Sequence, residues 1–280
     1  LREARPELDG SLLAPDEYFY VRIFNQSEEA PDSFNGGRFY APFTNWPKQD
    51  RLRLRLSGEP VGSLDISQLH PALILRYLYN TDKELPGMLF DAQPEVYSMP
   101  DYPNLARAVH KKLINTLINA ASIDSAVKAL QTATYWFDDE DQEWVCKTYQ
   151  GRQRRHGIKV FIDSQPGVAA REYIDRFVLR HPMMEPAICS GLGHTLQTLD
   201  SQLIENVLLI ANELMVPVLP VHDELILPKS KKVHAQVLLE KAFPFTFGQY
   251  GSFGAIKAKW TTLELGSKVI SIELSGSGDH

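Results

Sequence analysis

Four residues of this sequence have the types and spacing to do chemistry together: Asp65, Arg107, Lys111 and Asp223. Asp65 closes the run Val61-Gly62-Ser63-Leu64-Asp65-Ile66, and Asp223 lies in His222-Asp223-Glu224 between the apolar runs Val216–Val221 and Leu225–Pro228. Each acid is therefore expected at the end or tip of a strand. Two carboxylates that converge in this way can hold a pair of magnesium ions, which activate an attacking hydroxyl and stabilise a leaving pyrophosphate. Arg107 and Lys111 share a helix face with Asn115 and Asn119 at four-residue steps, a face that is either solvated or suited to a triphosphate. An isolated His-Asp-Glu also fits a solvated surface turn. The order of the four residues along the chain makes the set informative.

The elements that must position them follow from periodicity. The chain to about Ser33 reads as loop around one strand at Tyr18–Phe24, and Phe34–Tyr40 reads as a turn whose paired glycines set Arg38 between aromatics. Arg51–Leu56 alternates charged and apolar residues as a half-buried strand, with Arg51, Arg53 and Arg55 on the face that meets solvent or phosphate. After the turn Ser57–Pro60 comes the strand to Ile66, and a helix from Gln68 onward puts Asp65 at a strand-to-helix junction.

Asn80–Met99 reads as loop. Helices are expected over Pro103–Ala121, Ile123–Phe137, Gly167–Arg180, His194–Met215 and Lys229–Ala242. The helix at His194–Met215 carries Leu196, Leu199, Leu203, Val207, Ile210 and Leu214 as its apolar face. Asp138–Asp141 reads as a solvated loop, and Gly151–Gly157, with Arg152, Arg154 and Arg155, is the one concentrated basic run. Strands at Ala255–Leu263 and Val269–Leu274 end the ordered chain, and no internal repeat is visible.

Composition bounds the function. With 280 residues, 44% hydrophobic and 23% charged, the chain can bury a sizeable core. A net charge of -6 argues against a uniformly basic nucleic-acid binder but leaves room for a local basic cleft. Cys146 and Cys189 are far apart, so neither a disulfide framework nor a zinc site is expected, and a reducing, cytoplasmic setting follows. No apolar run is long enough for a membrane span, and no basic-then-apolar leader opens the chain. The start at Leu1 suggests a fragment or trimmed chain, and residues 275–280 read as a flexible tail.

Leu64-Asp65-Ile66-Ser67-Gln68-Leu69-His70 resembles the first palm motif of family A DNA polymerases. Arg107 and Lys111 resemble that family's nucleotide-binding helix, and Val221-His222-Asp223-Glu224 its third motif. Single-subunit phage RNA polymerases share this palm. Asn45-Trp46-Pro47 and the arginine run resemble the segment ahead of the first motif, so the likeness covers about residues 34–245.

The resemblance implies an α+β right-hand palm with an antiparallel sheet, helices behind it and a reduced fingers region. Its parts would be an extension at 1–33, a palm at 34–274 with inserted helices at about 80–190, and the tail. It implies template-dependent addition of nucleotides to a 3′ end with two Mg2+ ions, or Mn2+ in their place. Asp65, Asp223, the Ile66 carbonyl and Glu224 would be the metal ligands, and Arg107, Lys111, Gln68, His70 and Asn115 would line the nucleotide, with Lys111 able to protonate pyrophosphate. His222 and Glu224 would support the primer end, and Arg38, Arg51, Arg53, His222 and Arg154 would meet nucleic acid. Partners would be template, primer, nucleoside triphosphates and a protein completing the thumb or fingers, without a membrane, in a bacterial, phage or plasmid setting. The sequence departs from the family where His70 replaces a sugar-sensing Glu and Asn119 an aromatic. Competing readings are a non-catalytic accessory palm protein and a metal-dependent nuclease in which the same acids activate water.

Overall fold

The computed structural model describes residues 6–26, 34–79, 95–103, 105, 107–132, 134–138, 143–145, 158–159, 168–247, 258–263 and 269–274. The fold is α+β, and every described strand pairing is antiparallel. Two compact units divide the chain. One comprises residues 1–73, 82–91 and 194–280; the other comprises residues 74–81 and 92–193, inserted into the first. The helix Leu69–Tyr79 begins in the first and ends in the second.

The first unit is built on an eight-stranded sheet made of β1 (Pro6–Leu8), β2 (Ser11–Leu12), β5 (Leu54–Leu56), β6 (Glu59–Ile66), β10 (Leu219–Val221), β11 (Glu224–Pro228), β12 (Ala258–Leu263) and β13 (Val269–Leu274). Strand β6 pairs with both β11 and β12, which is why its residues from Val61 to Leu64 and Ile66 are all buried instead of alternating. Gly62 answers to that crowding, because a Cβ there would lie 2.2 Å from the Trp260 ring. A separate two-stranded sheet joins β3 (Val21–Gln26) to β4 (Phe34–Tyr40).

Several expectations are corrected in this unit. Phe34–Tyr40 is a strand and not a turn: Gly36 and Gly37, at φ 93° and 81°, form a bulge where the pairing with Ile23 and Phe24 shifts register. The strand expected at Arg51–Leu56 starts only at Leu54, since Pro47 opens the short helix Lys48–Arg51. That places Arg51 off the ladder, so the three arginines do not line one face. The buried face of the helix Gly193–Glu213 is Leu196, Asp200, Leu203, Ile204, Val207 and Ala211, while Leu199 and Ile210 are half-buried and Leu214 is exposed. The helix expected to close at Ala242 continues as Lys232–Phe247, with Pro244 in its last turn.

The second unit holds the helices Arg107–Asn119, Ile123–Thr132 and Val168–Arg180, with β7 (Thr134–Asp138) between β8 (Glu143–Val145) and β9 (Ile158–Lys159). The helix expected from Pro103 begins only at Arg107, and the one expected to reach Phe137 stops at Thr132. Thr134-Tyr135-Trp136-Phe137 is a β-branched and aromatic run that favours an extended chain. Val109, Leu113 and Leu117, at four-residue steps on one helix face, are fully buried, as are Ala126 and Leu130 on the second helix and Tyr173 and Phe177 on the third. The basic run Gly151–Gly157, Arg154 included, and most of Asn80–Met99 lie outside the described residues.

His181 follows the helix Val168–Arg180 and is 0% exposed, with neither ring nitrogen hydrogen-bonded among the described residues. Burial, aided by the charge of Arg180, lowers its pKa to about 4. The unfolded chain takes a proton below about 6.5 and the folded one resists it, so stability is full above that value and lost as pH falls toward 4. We expect wild type to lose about 2 kcal/mol between pH 7 and pH 5 from this residue. Urea denaturation of wild type and His181→Leu at both values checks it; equal pH slopes in the two proteins would remove His181 from the account.

Candidate active site

The hairpin β10–β11 turns through only two residues, His222 and Asp223. His222 takes φ 56°, a conformation that such short turns usually give to Gly or Asn. The turn puts Asp223 beside the end of β6: the Ile66 amide donates to the Asp223 carbonyl at 3.2 Å, and Asp65 is the register partner of Glu224. Asp65, near the end of β6, and Asp223, in the turn that leads into β11, are therefore neighbours. Burial, and then the charge of Asp223, raises the Asp65 pKa, which marks two like charges held close together.

Glu224 has a different setting from its neighbour. It is 5% exposed and accepts from the Ser63 hydroxyl, from Arg51 Nη2 at 2.5 Å and from Lys48 Nζ at 3.2 Å. Burial opposes its charge, but Lys48, the Ser63 hydroxyl and Arg51 more than offset this and hold its pKa below the usual carboxylate range. Arg51 also donates to the Trp46 carbonyl, so it braces the hairpin from within instead of facing nucleic acid. Lys48 reaches Asp65 Oδ2 at 3.5 Å as well. Arg53 pairs with Asp9 and Asp50 at the surface.

A second cluster surrounds Asp200, which is 1% exposed. Arg38 Nε donates to its two oxygens at 3.3 and 3.0 Å, Arg38 Nη2 also bonds it, and His70 Nε2 lies 3.0 Å from Oδ2. Burial works against the Arg38 charge, yet the hydrogen bond to Asp200 and the charges of Asp200 and Asp223 raise its pKa. Strand β4 is tied to the same helix, with the Gly36 amide donating to Thr198 Oγ1 at 3.0 Å and Ser201 Oγ donating to the Gly36 carbonyl at 2.7 Å. His222 packs edge-on to Tyr40 with its Nδ1 buried and unpaired among the described residues, and burial, then Arg38, lowers its pKa. Gln68 takes φ 54° at the start of the helix after Asp65.

Arg107, Lys111, Asn115 and Asn119 belong to the inserted unit. Arg107 pairs with Glu95, and Arg107 Cζ and Lys111 Nζ lie 5.1 and 5.9 Å from the centroid of the Tyr97 ring. Asn115 is half-buried. Asn119 ties the helix end down: its Nδ2 donates to the Asn115 carbonyl at 2.8 Å and its Oδ1 accepts from the Gly193 amide at 3.1 Å.

Sequence reasoning singled out Asp65, Asp223, Glu224, His222, His70, Arg38 and Arg51, all of which fall in the first unit. It missed Lys48 and Asp200. Asp200 had a signal, an acid four residues from both Leu196 and Ile204 on an apolar stripe; Lys48 had none beyond its place before Arg51.

Among the described residues no group of three or more His, Cys, Asp or Glu side chains is arranged to hold a metal ion. The carboxylates beside the hairpin turn are Asp65, its side chain 45% exposed, and Asp223. Such hard oxygen donors, open to water, fit Mg2+, which keeps several of its waters. No family model matches the chain, and no curated protein matches it significantly. No helix among the described residues is long and apolar enough to cross a membrane.

Proposed function

We propose that the chain is a template-dependent nucleotidyltransferase with a polymerase-like palm, extending a nucleic-acid 3′ end with nucleoside triphosphates. The observation that carries this reading is the placement of Asp65 near the end of β6 beside Asp223 in the β10–β11 turn, close enough for Asp223 to add to the burial that raises the Asp65 pKa. Carboxylates crowded in this way are costly unless a cation joins them. Two Mg2+ ions, or Mn2+, bound there would activate the attacking hydroxyl and stabilise the leaving pyrophosphate.

In this reading Asp65 and Asp223 hold the ions, and the Ile66 carbonyl is a further candidate ligand. Glu224 is a brace and not a ligand, because Ser63, Arg51 and Lys48 take up its oxygens. Arg107 and Lys111, on the inserted unit, are the cations whose counterparts in the resembling family grip a triphosphate. Phosphate oxygens would displace Glu95 from Arg107, an exchange that costs little at an exposed pair. Arg38, held by Asp200, meets the strand being extended, and His70, beside the same carboxylate, lines the nucleotide.

The test is primer extension with Mg2+ on DNA and RNA templates, using deoxy- and ribonucleotides. We expect template-directed incorporation with at least one pairing. Binding of nucleic acid without incorporation on any template favours the accessory-protein reading, and degradation of labelled strands without added nucleotides favours the nuclease.

A further inference from the structure

We infer that Lys48 is a built-in competitor for the cation site, occupying Asp65 when no metal is bound and passing wholly to Glu224 when one enters. The inference rests on the metal reading above and concerns a residue outside the ligand set. Its basis is geometric. Lys48 Nζ stands between two carboxylates, 3.2 Å from Glu224 Oε1 and 3.5 Å from Asp65 Oδ2, and its side chain is 35% exposed. The two contacts are unequal in kind.

Glu224 is buried, needs compensating charge and has Arg51 as a permanent second partner. Asp65 is half-exposed and has Lys48 as its one ion-pair partner among the described residues. A divalent cation arriving at Asp65 and Asp223 outbids a single ammonium at the longer contact, and Lys48 need travel no further than its other carboxylate. The helix Lys48–Arg51 is anchored independently by Arg51, which holds both Glu224 and the Trp46 carbonyl, so the lysine can shift without moving its backbone.

Charge counting around the cluster agrees. Lys48, Arg51 and Arg38 face Asp65, Asp223, Glu224 and Asp200, three positive groups against four negative. A site so nearly neutralised by its own side chains holds a free divalent ion weakly. Removing Lys48 therefore raises metal affinity, whereas loss of a merely structural lysine lowers it or leaves it alone.

The experiment is isothermal titration of Mn2+ alone, with no nucleotide or nucleic acid, into wild type, Lys48→Met, Lys48→Arg and Asp223→Asn. Lys48→Met is expected to bind Mn2+ about tenfold more tightly than wild type, as a unit charge removed within 4 Å of a partly screened ligand implies. Lys48→Arg should stay near wild type, and Asp223→Asn should lose the binding. Circular dichroism confirms that each variant is folded, and Ser63 with Arg51 continues to hold Glu224 in Lys48→Met. Equal or weaker binding by folded Lys48→Met overturns the role of Lys48 alone. Absence of binding in wild type and Lys48→Met together, or binding that survives Asp223→Asn, overturns the metal reading and this inference with it.

Discussion

Asp223→Asn is expected to slow nucleotide addition by roughly 10³-fold while leaving the protein as stable as wild type or more so. The rate follows from the ligand chemistry: a bound cation supplies several kcal/mol of transition-state stabilisation, and about 4 kcal/mol corresponds to three decades. An amide keeps the shape of the side chain but not the charge that holds a hard cation. The stability has the opposite sign. Asp65 has a raised pKa, from burial first and then from Asp223, so its ionised form is paid for at every pH above its unfolded value. Neutralising Asp223 lifts part of that burden. The backbone contact between the Ile66 amide and the Asp223 carbonyl survives the substitution. Initial rates of primer extension and thermal midpoints from the same preparations decide the matter. Rate and midpoint falling together would mean a structural role for Asp223, and an unchanged rate would end the catalytic assignment.

The parts of this site visible in the sequence are those that local chemistry dictates. Asp223 could be placed because three polar residues interrupt two apolar runs, and a chain that must bury both runs has to turn there. Asp65 could be placed because strand-like sequence gives way to helical spacing just after it. What could not be read depends on partners distant in the chain. Arg51 looks like the first residue of an alternating strand, and its partner Glu224, 173 residues away, is not to be read from its neighbours.

Asp200 was hidden by the same logic in reverse. The stripe Leu196, Leu199, Leu203, Val207, Ile210 and Leu214 meets the buried face at Leu196, Leu203 and Val207 but takes Leu199, Ile210 and Leu214 in place of Asp200, Ile204 and Ala211, because an acid does not read as a core position. An acid on an apolar stripe is a request for a buried cation, and sequence does not say that Arg38 answers it. In the inserted unit the apolar stripe Val109, Leu113 and Leu117 was legible because each of its members is apolar.

Asp200→Ala is expected to destabilise the protein by about 3–5 kcal/mol, the range for removing one partner from a buried ion pair. Asp200 is 1% exposed, and its oxygens take two groups from Arg38 and one from His70. Alanine leaves the Arg38 guanidinium, its side chain only 20% exposed, without its carboxylate partner and with His70 Nε2, 3.1 Å away, as its remaining hydrogen-bond contact in the cluster. The thermal midpoint should drop on the order of 10 °C. Asp200→Asn, which keeps one acceptor oxygen, should cost less. The double variant Arg38→Met with Asp200→Ala separates charge from packing: with no uncompensated guanidinium, it should recover much of the loss. Recovery is the outcome that a purely volumetric role for Asp200 does not produce, since the cavity is still there. Chemical denaturation of the four proteins gives the coupling directly, and a cost below about 1 kcal/mol for Asp200→Ala would show that Arg38 finds another partner at once. Because Arg38 also lies within electrostatic reach of Asp223, the same variant should weaken primer binding even at temperatures where it remains folded.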